Sequence, residues 1–366
     1  MNRVVKYSEI LITLALLGMM TGVALRSRPN LPQEVSSLKI VHTPIAPTEV
    51  VNVPARTRIL FTGDMNLGRC IAKRTLSTHT YTNDYNYPFQ FVAEELRAAD
   101  ITVGSLDGTL SDESLPMPCP ASMNLIGPTH MVGGLQFAGF DVISIATNHI
   151  KDCGEKGFAC ENKAMYDTIN TLTVAELQPV GAGKTLSEAR LPVVIERNGI
   201  RFAFLGVNQI EERVWAADNI PGTAPLSQMY IEQVKADIIA AKSIADVVIV
   251  LPHWGVEYAA EPEDIQRIWA WEFIKAGASL VIGNHPHIIQ PVEMILDKPV
   301  FYALGNFVFD QEHSFRREGI VVEVNFIGTE IESWELHPAS INYYTFQPYW
   351  AEDTEAKYIL TRAKEP

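Results

Sequence analysis

Short apolar runs recur along this chain, and each stops at a glycine or at a polar residue able to do chemistry. Arg58-Ile59-Leu60-Phe61-Thr62 ends at Gly63-Asp64. Residues 101–106 end at Asp107, and residues 140–146 run into Thr147-Asn148-His149. Residues 200–207 are flanked by Gly199 and Gly206, residues 247–251 lead to Pro252-His253-Trp254-Gly255, residues 278–282 stop at Gly283, and residues 300–304 end at Gly305-Asn306. Runs of this length, apolar on both faces and bounded by glycine, predict buried strands. Helical spacing predicts helices over 89–99, 129–138, 155–168, 227–245 and 261–276, the last with Pro262 near its first turn. Alternation of strand with helix predicts an α/β layered domain. After Gly319 the pattern changes to β-branched alternation over 320–324 and again over 330–336, two further strands with no helix between them. Residues 111–128, rich in Ser, Pro and Gly, read as a loop.

The polar residues at the strand ends are the candidate chemistry. Asp64, Asp107, Asn148 with His149, His253, and the pair His285 and His287 each follow a different apolar strand at its carboxyl end. In open α/β sheets that edge is where ligands bind. Pro286 separates the two histidines, and a proline favours an extended predecessor, so both imidazoles are expected on one side of the backbone. Carboxylate and amide oxygens with imidazole nitrogens suit a divalent Mn, Fe or Zn, and the lack of thiolates argues against a structural zinc site. A carboxylate can bridge two ions, and such a pair can activate water against a phosphoester. His149, beside Asn148 but pointing differently, is placed to act as a general acid. Taken singly each residue has a plainer reading: Gly63-Asp64 and Asp107-Gly108 are also turn dipeptides, and Asn148 is also a capping residue. Trp254 and Tyr258 read as core or rim aromatics.

The amino-terminus changes the picture from a soluble domain to an exported one. Arg3 and Lys6 precede an uncharged, mostly apolar run over 10–25, followed by Arg26 and Arg28. That pattern resembles an export signal, and with no small-x-small cleavage site after it the reading favours an uncleaved signal-anchor over a removed peptide. Residues 29–57, with recurrent prolines and no helical period, read as a tether. The chain thus divides into an anchor (1–28), a tether (29–57), a body (58–345) and a tail (346–366), with a single-pass protein in the cell membrane and its body extracytoplasmic. A net charge of −14 excludes a nucleic-acid partner, which needs a basic footprint. Cys70, Cys119, Cys153 and Cys160 are compatible with an oxidising compartment; Cys153 and Cys160 could close a small loop, but the sequence leaves connectivity open and free thiols fit as well.

Five stretches carry a resemblance: 63–69 (Gly-Asp-Met-Asn-Leu-Gly-Arg), 146–157 around Thr147-Asn148-His149, 253–258 from His253 to Tyr258, 283–287 around the two histidines, and 304–310 from Leu304 to Asp310. In this order they resemble the CapA (PgsA) family of poly-γ-glutamate capsule biosynthesis proteins, whose domain is related to calcineurin-like metallophosphoesterases. The resemblance spans roughly residues 58–341. It implies a four-layer α/β/β/α sandwich of the metallophosphoesterase type with two divalent ions. Position by position, Asp64 and His287 would bind the first ion, Asp107 would bridge, Asn148, His253 and His285 would serve the second, and His149 would be the acid. It further implies an anionic polymer or a phosphoester as substrate and subunits of a capsule synthesis complex as partners, the alternative being a non-catalytic scaffold or polymer-binding component. Three positions depart from the pattern. Ser105-Leu106-Asp107 stands where the family usually has Asn-Leu-Glu, Thr147 where it has Asn, and Asp64-Met65-Asn66 where true metallophosphoesterases have Asp-x-His. Asn306, Asp310, Glu257 and Gln290 fall in or near these motifs without a role the sequence can assign.

Overall fold

A computed structural model describes residues 54–76, 84–113, 119, 123–153 and 160–364. The expected anchor and most of the tether lie outside the described residues. Among the described residues no helix is long and apolar enough to cross a membrane.

Two sheets form the centre. The first runs, edge to edge, Pro348–Trp350, Glu330–Ile341, Glu318–Ile327, Arg56–Met65, Ile101–Leu106, Val142–Ser144 and Gln178–Val180, with Asn306–Val308 also pairing to Arg56–Met65. Its last four strands are parallel. The second runs Val292–Ile295, Lys298–Phe301, Leu280–Ile282, Val247–His253, Ile200–Asn208 and Val193–Arg197, with a parallel centre and antiparallel edges.

Side-chain alternation sets the layers. Ile59 and Phe61 point into a core shared with Phe202, Phe204, Val247, Ile249 and Leu251, so the two sheets pack face to face. Their neighbours in sequence point the other way. Leu60 and Met65 meet Ile71, Leu96, Leu135 and Leu172 from the helices over the first sheet. Ala203, Leu205, Val248 and Val250 meet Ile238, Trp269 and Phe273 from the helices Ile231–Ala241 and Asp264–Ala276 over the second. Strands buried on both faces must be apolar throughout, which is why these runs lack polar alternation. The result is the four-layer α/β/β/α sandwich that the sequence led us to expect.

Several boundaries moved. The helix expected over 261–276 starts at Asp264, after a capping box between Glu263 and Gln266, so Pro262 lies outside it; Gly277, left-handed at φ +113°, ends it. The helix expected over 155–168 is observed as Lys163–Val174, with 154–159 outside the described residues. Phe326 and Ile331 mark the turn of a long antiparallel hairpin, Glu318–Ile327 with Glu330–Ile341, as the β-branched alternation predicts. The sheet extends into the segment set apart as a tail: Pro348–Trp350 adds an edge strand, and Ile359 and Ala363 of the following helical segment join the inter-sheet core. Cys70 pairs with Cys119 and Cys153 with Cys160.

Candidate metal centre

Six strand ends deliver the site, and two glycines let them approach. A Cβ at Gly63 would stand 2.1 Å from the carbonyl oxygen of Gly305, and one at Gly283 would stand 2.1 Å from that of Tyr302. Neither position tolerates a side chain. Gly63 thereby sets Asp64 beside Asn306 in parallel register, and Gly283 lets the chain turn into His285 directly after the strand Leu280–Ile282.

Asp64 and Asp107 are fully buried at the ends of adjacent strands. Ser105 donates its hydroxyl to Asp64 Oδ1 at 2.9 Å, and the His285 amide donates to Asp64 Oδ2 at 3.0 Å. Among the described residues both oxygens of Asp107 lack any hydrogen-bond donor. Around the two carboxylates stand imidazoles. His253 places Nδ1 3.9 Å from Asp64 Oδ1 and Nε2 3.7 Å from Asp107 Oδ1. His287 places Nδ1 3.5 Å from Asp64 Oδ2 and Nε2 3.6 Å from Asp107 Oδ2. The His285 ring lies 4.8 Å from that of His253 and 5.9 Å from that of His287, centroid to centroid. Asn148 Oδ1 is 2.9 Å from His253 Nε2. Every residue singled out as a candidate ligand is therefore drawn to one edge of the sandwich.

The histidine pair reaches that edge by a different backbone than expected. His285 has φ +103° and His287 φ +58°, both left-handed, so Pro286 does not hold an extended predecessor. The hydrogen bonds from His285 N to Asp64 and from Tyr258 N to Pro286 O (2.8 Å) fix the loop against its local preference. The rings still converge.

Electrostatics follows from crowding two acids and several imidazoles away from water. Burial, and then the charge of Asp107, push Asp64 up to about 7. Burial and the neighbouring imidazoles hold His253 and His285 well below the usual histidine value, so both are neutral and present lone pairs. His149 goes the other way: burial works against its charged form, but Asp107 and a 2.7 Å bond from Nδ1 to Asp152 Oδ2 outweigh that and raise it to about 9.

Do these residues fit a cation? Among the described residues no three His, Cys, Asp or Glu side chains already stand as a closed cage. Yet the carboxylate–imidazole separations of 3.5–3.9 Å are too long for hydrogen bonds and close to the ~3–3.5 Å between two ligands that share one ion at about 2.1 Å. Asp107 Oδ1 and Oδ2, His253 Nδ1 and His285 Nδ1 are buried with no partner among the described residues, a costly arrangement unless something compensates them. A divalent ion matches both the charge and the nitrogen–oxygen donor set. Asn66 is not among the donors: its Oδ1 accepts from Gly68 N at 2.8 Å and its Nδ2 faces Asp310 at 3.4 Å.

The sequence pointed to Asn306 and Asp310 without a role for either and did not single out Asp152. Asn306 Oδ1 meets His287 Nδ1 at 2.9 Å. Asp152, in the same turn as His149, orients it and could have been found from the three-residue spacing. Asp310 binds the buried Arg69 through Nε at 3.0 Å and receives the Cys70 amide at 3.2 Å. Of the other residues weighed, Trp254 is fully buried and donates to Tyr302 O, so it is core; Gln290 donates to Ala259 O and Glu261 O and holds that loop; Glu257 is exposed.

Residues 58–311 match the model of a family described as Bacterial capsule synthesis protein PGA_cap. The PGA biosynthesis protein CapA of Bacillus subtilis (strain 168) is 30% identical over 303 residues, 82% of this chain and 76% of that protein. The capsule biosynthesis protein CapA of Bacillus anthracis is 30% identical over 265 residues; the match takes in 71% of this chain and 62% of that protein. Among solved structures, the calcineurin-like phosphoesterase YfkN from Bacillus subtilis superposes on 84% of this chain and 96% of its own, with 14% identity and a TM-score of 0.44.

Proposed function

The chain belongs to the bacterial capsule synthesis protein family PGA_cap, and on that premise we propose that it works in poly-γ-glutamate capsule synthesis or export as a membrane-anchored, extracytoplasmic protein with a metal-dependent hydrolase site. The observation that carries the hydrolase reading is the buried Asp107, whose two donor-less oxygens face His253 and His287. Asp64, Asp107, Asn148, His253, His285 and His287 would hold one or two divalent ions (Mn, Fe or Zn). When bound, such ions polarise the scissile group and acidify a water. The protein's own share is distinct. Asp64 and Asp107 supply negative charge, and the neutral His253 and His285 supply lone pairs. His149, held at Nδ1 by Asp152, offers a proton from its other nitrogen to the leaving group of a phosphoester or of a γ-glutamyl amide. Two disulfides favour an oxidising compartment, and the basic-flanked apolar run over 10–25 favours anchoring.

The test is metal content together with turnover. The purified chain is expected to carry a divalent ion by elemental analysis and to cleave a generic phosphodiester or a γ-glutamyl oligomer with Mn present, and His287→Ala is expected to abolish cleavage. Active-grade protein without metal would end the reading.

One observation favours a second reading, a polymer-binding or scaffolding component without turnover. Asn66 stands where an Asp-x-His motif would place a ligand, and it is turned towards Gly68 and Asp310 instead. On that reading His149→Ala leaves polymer production intact while deletion of residues 1–28 abolishes it.

A further inference from the structure

Most of the described arginines pair with a carboxylate, among them Arg58 with Glu323, Arg190 with Asp237, Arg267 with Glu293 and Arg362 with Glu318. Arg316 does not. Among the described residues its guanidinium has neither a hydrogen-bond acceptor nor an ion-pair partner, and its Nε is buried without one. It is nevertheless held in place. Its Cζ lies 3.4 Å from the centroid of the Tyr258 ring and 5.4 Å from that of Phe315. Its carbonyl accepts from Asn306 Nδ2 at 2.8 Å, the same amide that meets His287. The Tyr258 ring itself stands 6.2 Å from the His287 ring, on a left-handed backbone (φ +65°) fixed by its amide bond to Pro286 O.

A guanidinium spread on an aromatic face keeps its N–H edge for a planar, bidentate acceptor, and it is less hydrated than an ammonium, so it gives up water readily. Among the described residues no atom supplies that acceptor. In a chain with net charge −14, a cation held beside the strand-end cluster with no acceptor among the described residues is a place for an anion from outside.

We propose that Arg316, stacked on Tyr258, is the receptor for an oxyanion of the bound substrate, a carboxylate or phosphoryl group next to the bond presented to the strand-end cluster. The inference rests on the proposed function only in taking that cluster as the place where substrate binds. It sets a specificity: a substrate carrying an anion beside its reacting bond is preferred to its neutral counterpart.

The full chain, loaded with Mn, is titrated calorimetrically at fixed ionic strength with three probes: a γ-linked glutamate oligomer, the same oligomer with its free carboxylates converted to carboxamides, and a glycerophosphodiester. Arg316→Gln is expected to weaken an anionic probe by about 10-fold or more, the usual worth of a charge-assisted hydrogen bond, and to leave the carboxamide unchanged. Arg316→Lys, which keeps the charge but not the planar edge, is expected to fall between, and Tyr258→Leu to weaken binding by a smaller factor. Dependence on Arg316 for the oligomer identifies a carboxylate as the anion; dependence for the phosphodiester alone identifies a phosphoryl group. Thermal unfolding of each variant reports folding, and if Arg316→Gln is unfolded the Lys and Leu variants carry the comparison. Equal affinity of wild type and folded variants for every probe, equal losses for the neutral and charged oligomers, or no binding by the wild-type chain would each overturn the proposal. Failure of the hydrolase reading looks different: no turnover by any variant, with the Arg316 dependence of binding intact.

Discussion

Asn306 fixes the tautomer of His287. Its Nδ2 donates to two carbonyls, those of Arg316 at 2.8 Å and of His287 at 3.3 Å, so its Oδ1 must be the acceptor in the 2.9 Å contact with His287 Nδ1. The proton of a neutral His287 therefore sits on Nδ1, and the lone pair on Nε2 faces Asp107 Oδ2, 3.6 Å away. An amide from a neighbouring strand thus aims an imidazole at a buried carboxylate, the arrangement that orients histidine ligands around metal ions.

Replacing Asn306 by Ala should lower the affinity for Mn or Zn about 10–100-fold, the range for loss of such a supporting bond. Competition against a metal indicator measures it, with circular dichroism to show that the sandwich persists. An unchanged affinity would mean that His287 is not a ligand or needs no orientation.

Asp64, Asp107, His253 and the histidine pair were legible in the sequence because each ends an apolar run, and burial on both faces writes such runs directly into composition. Pairings across the fold were not. Asn306 meets His287 over 19 positions and Asp310 meets Arg69 over 241, contacts that only strand order decides. Asn66 kept its place beside Asp64, but its side chain is taken by the Gly68 amide, a local bond that a pattern of residue types does not reveal. The edge strand Val193–Arg197 was missed because its apolar run, Val193-Val194-Ile195, is only three residues long and passes directly into Glu196-Arg197. The disulfides join cysteines 49 and 7 positions apart, a pairing that spacing alone does not decide.

The buried acids make stability and metal binding depend on pH in opposite senses. Asp64 is raised to about 7 in the folded metal-free chain by burial and by Asp107, and it has an ordinary carboxylate value when unfolded. Between those values the folded chain holds a proton that the unfolded chain has lost, so the contribution is full below the ordinary carboxylate value and disappears as pH rises through about 7. His253 and His285, neutral when folded, pull the other way as pH falls below the ordinary histidine value, so the Asp64 share is read by difference: with chelator present, Asp64→Asn should lose stability relative to wild type at pH 5 compared with pH 8. Metal affinity should rise over the same interval because binding expels that proton. The same pH dependence of the metal-free melting temperature in wild type and in Asp64→Asn would contradict the assignment.

Arg69 is buried with a left-handed backbone (φ +46°), and Asp310 is its carboxylate partner. Asp310 also receives the Cys70 amide and lies against Asn66, so it ties the first helix to the strand end that bears Asp64. Asp310→Ala should cost about 3–5 kcal/mol of unfolding free energy, because it leaves a guanidinium buried without its counter-charge. Replacing both residues by apolar ones, Arg69→Met with Asp310→Leu, should recover much of that loss. Urea unfolding of the two variants separates the cases; a single variant within about 0.5 kcal/mol of wild type, the size of an ordinary surface substitution, would show that the pair is not a determinant of stability.

His149 is the residue whose role can be separated from metal binding. Asp152 Oδ2 takes the Leu125 amide at 2.6 Å as well as His149 Nδ1, so the carboxylate is itself anchored and the ring is held by Nδ1, with no hydrogen bond to its other nitrogen among the described residues. Raised to about 9, His149 is protonated at neutral pH and can act as an acid, and that activity is lost as pH rises through its folded value. A cation at Asp107 removes part of the raising charge, so the alkaline limb of the loaded protein should lie below 9. Asp152→Asn removes both a hydrogen bond and a charge and should move that limb further down; ring nitrogen chemical shifts of the metal-free chain should show the same displacement without any need for turnover. His149→Ala should keep its metal yet lose about 100-fold in kcat on an alkyl phosphodiester, and far less on a nitrophenyl ester whose leaving group departs without a proton. The contrast between the two leaving groups is the decisive reading, because a residue that merely supports the fold would slow both alike.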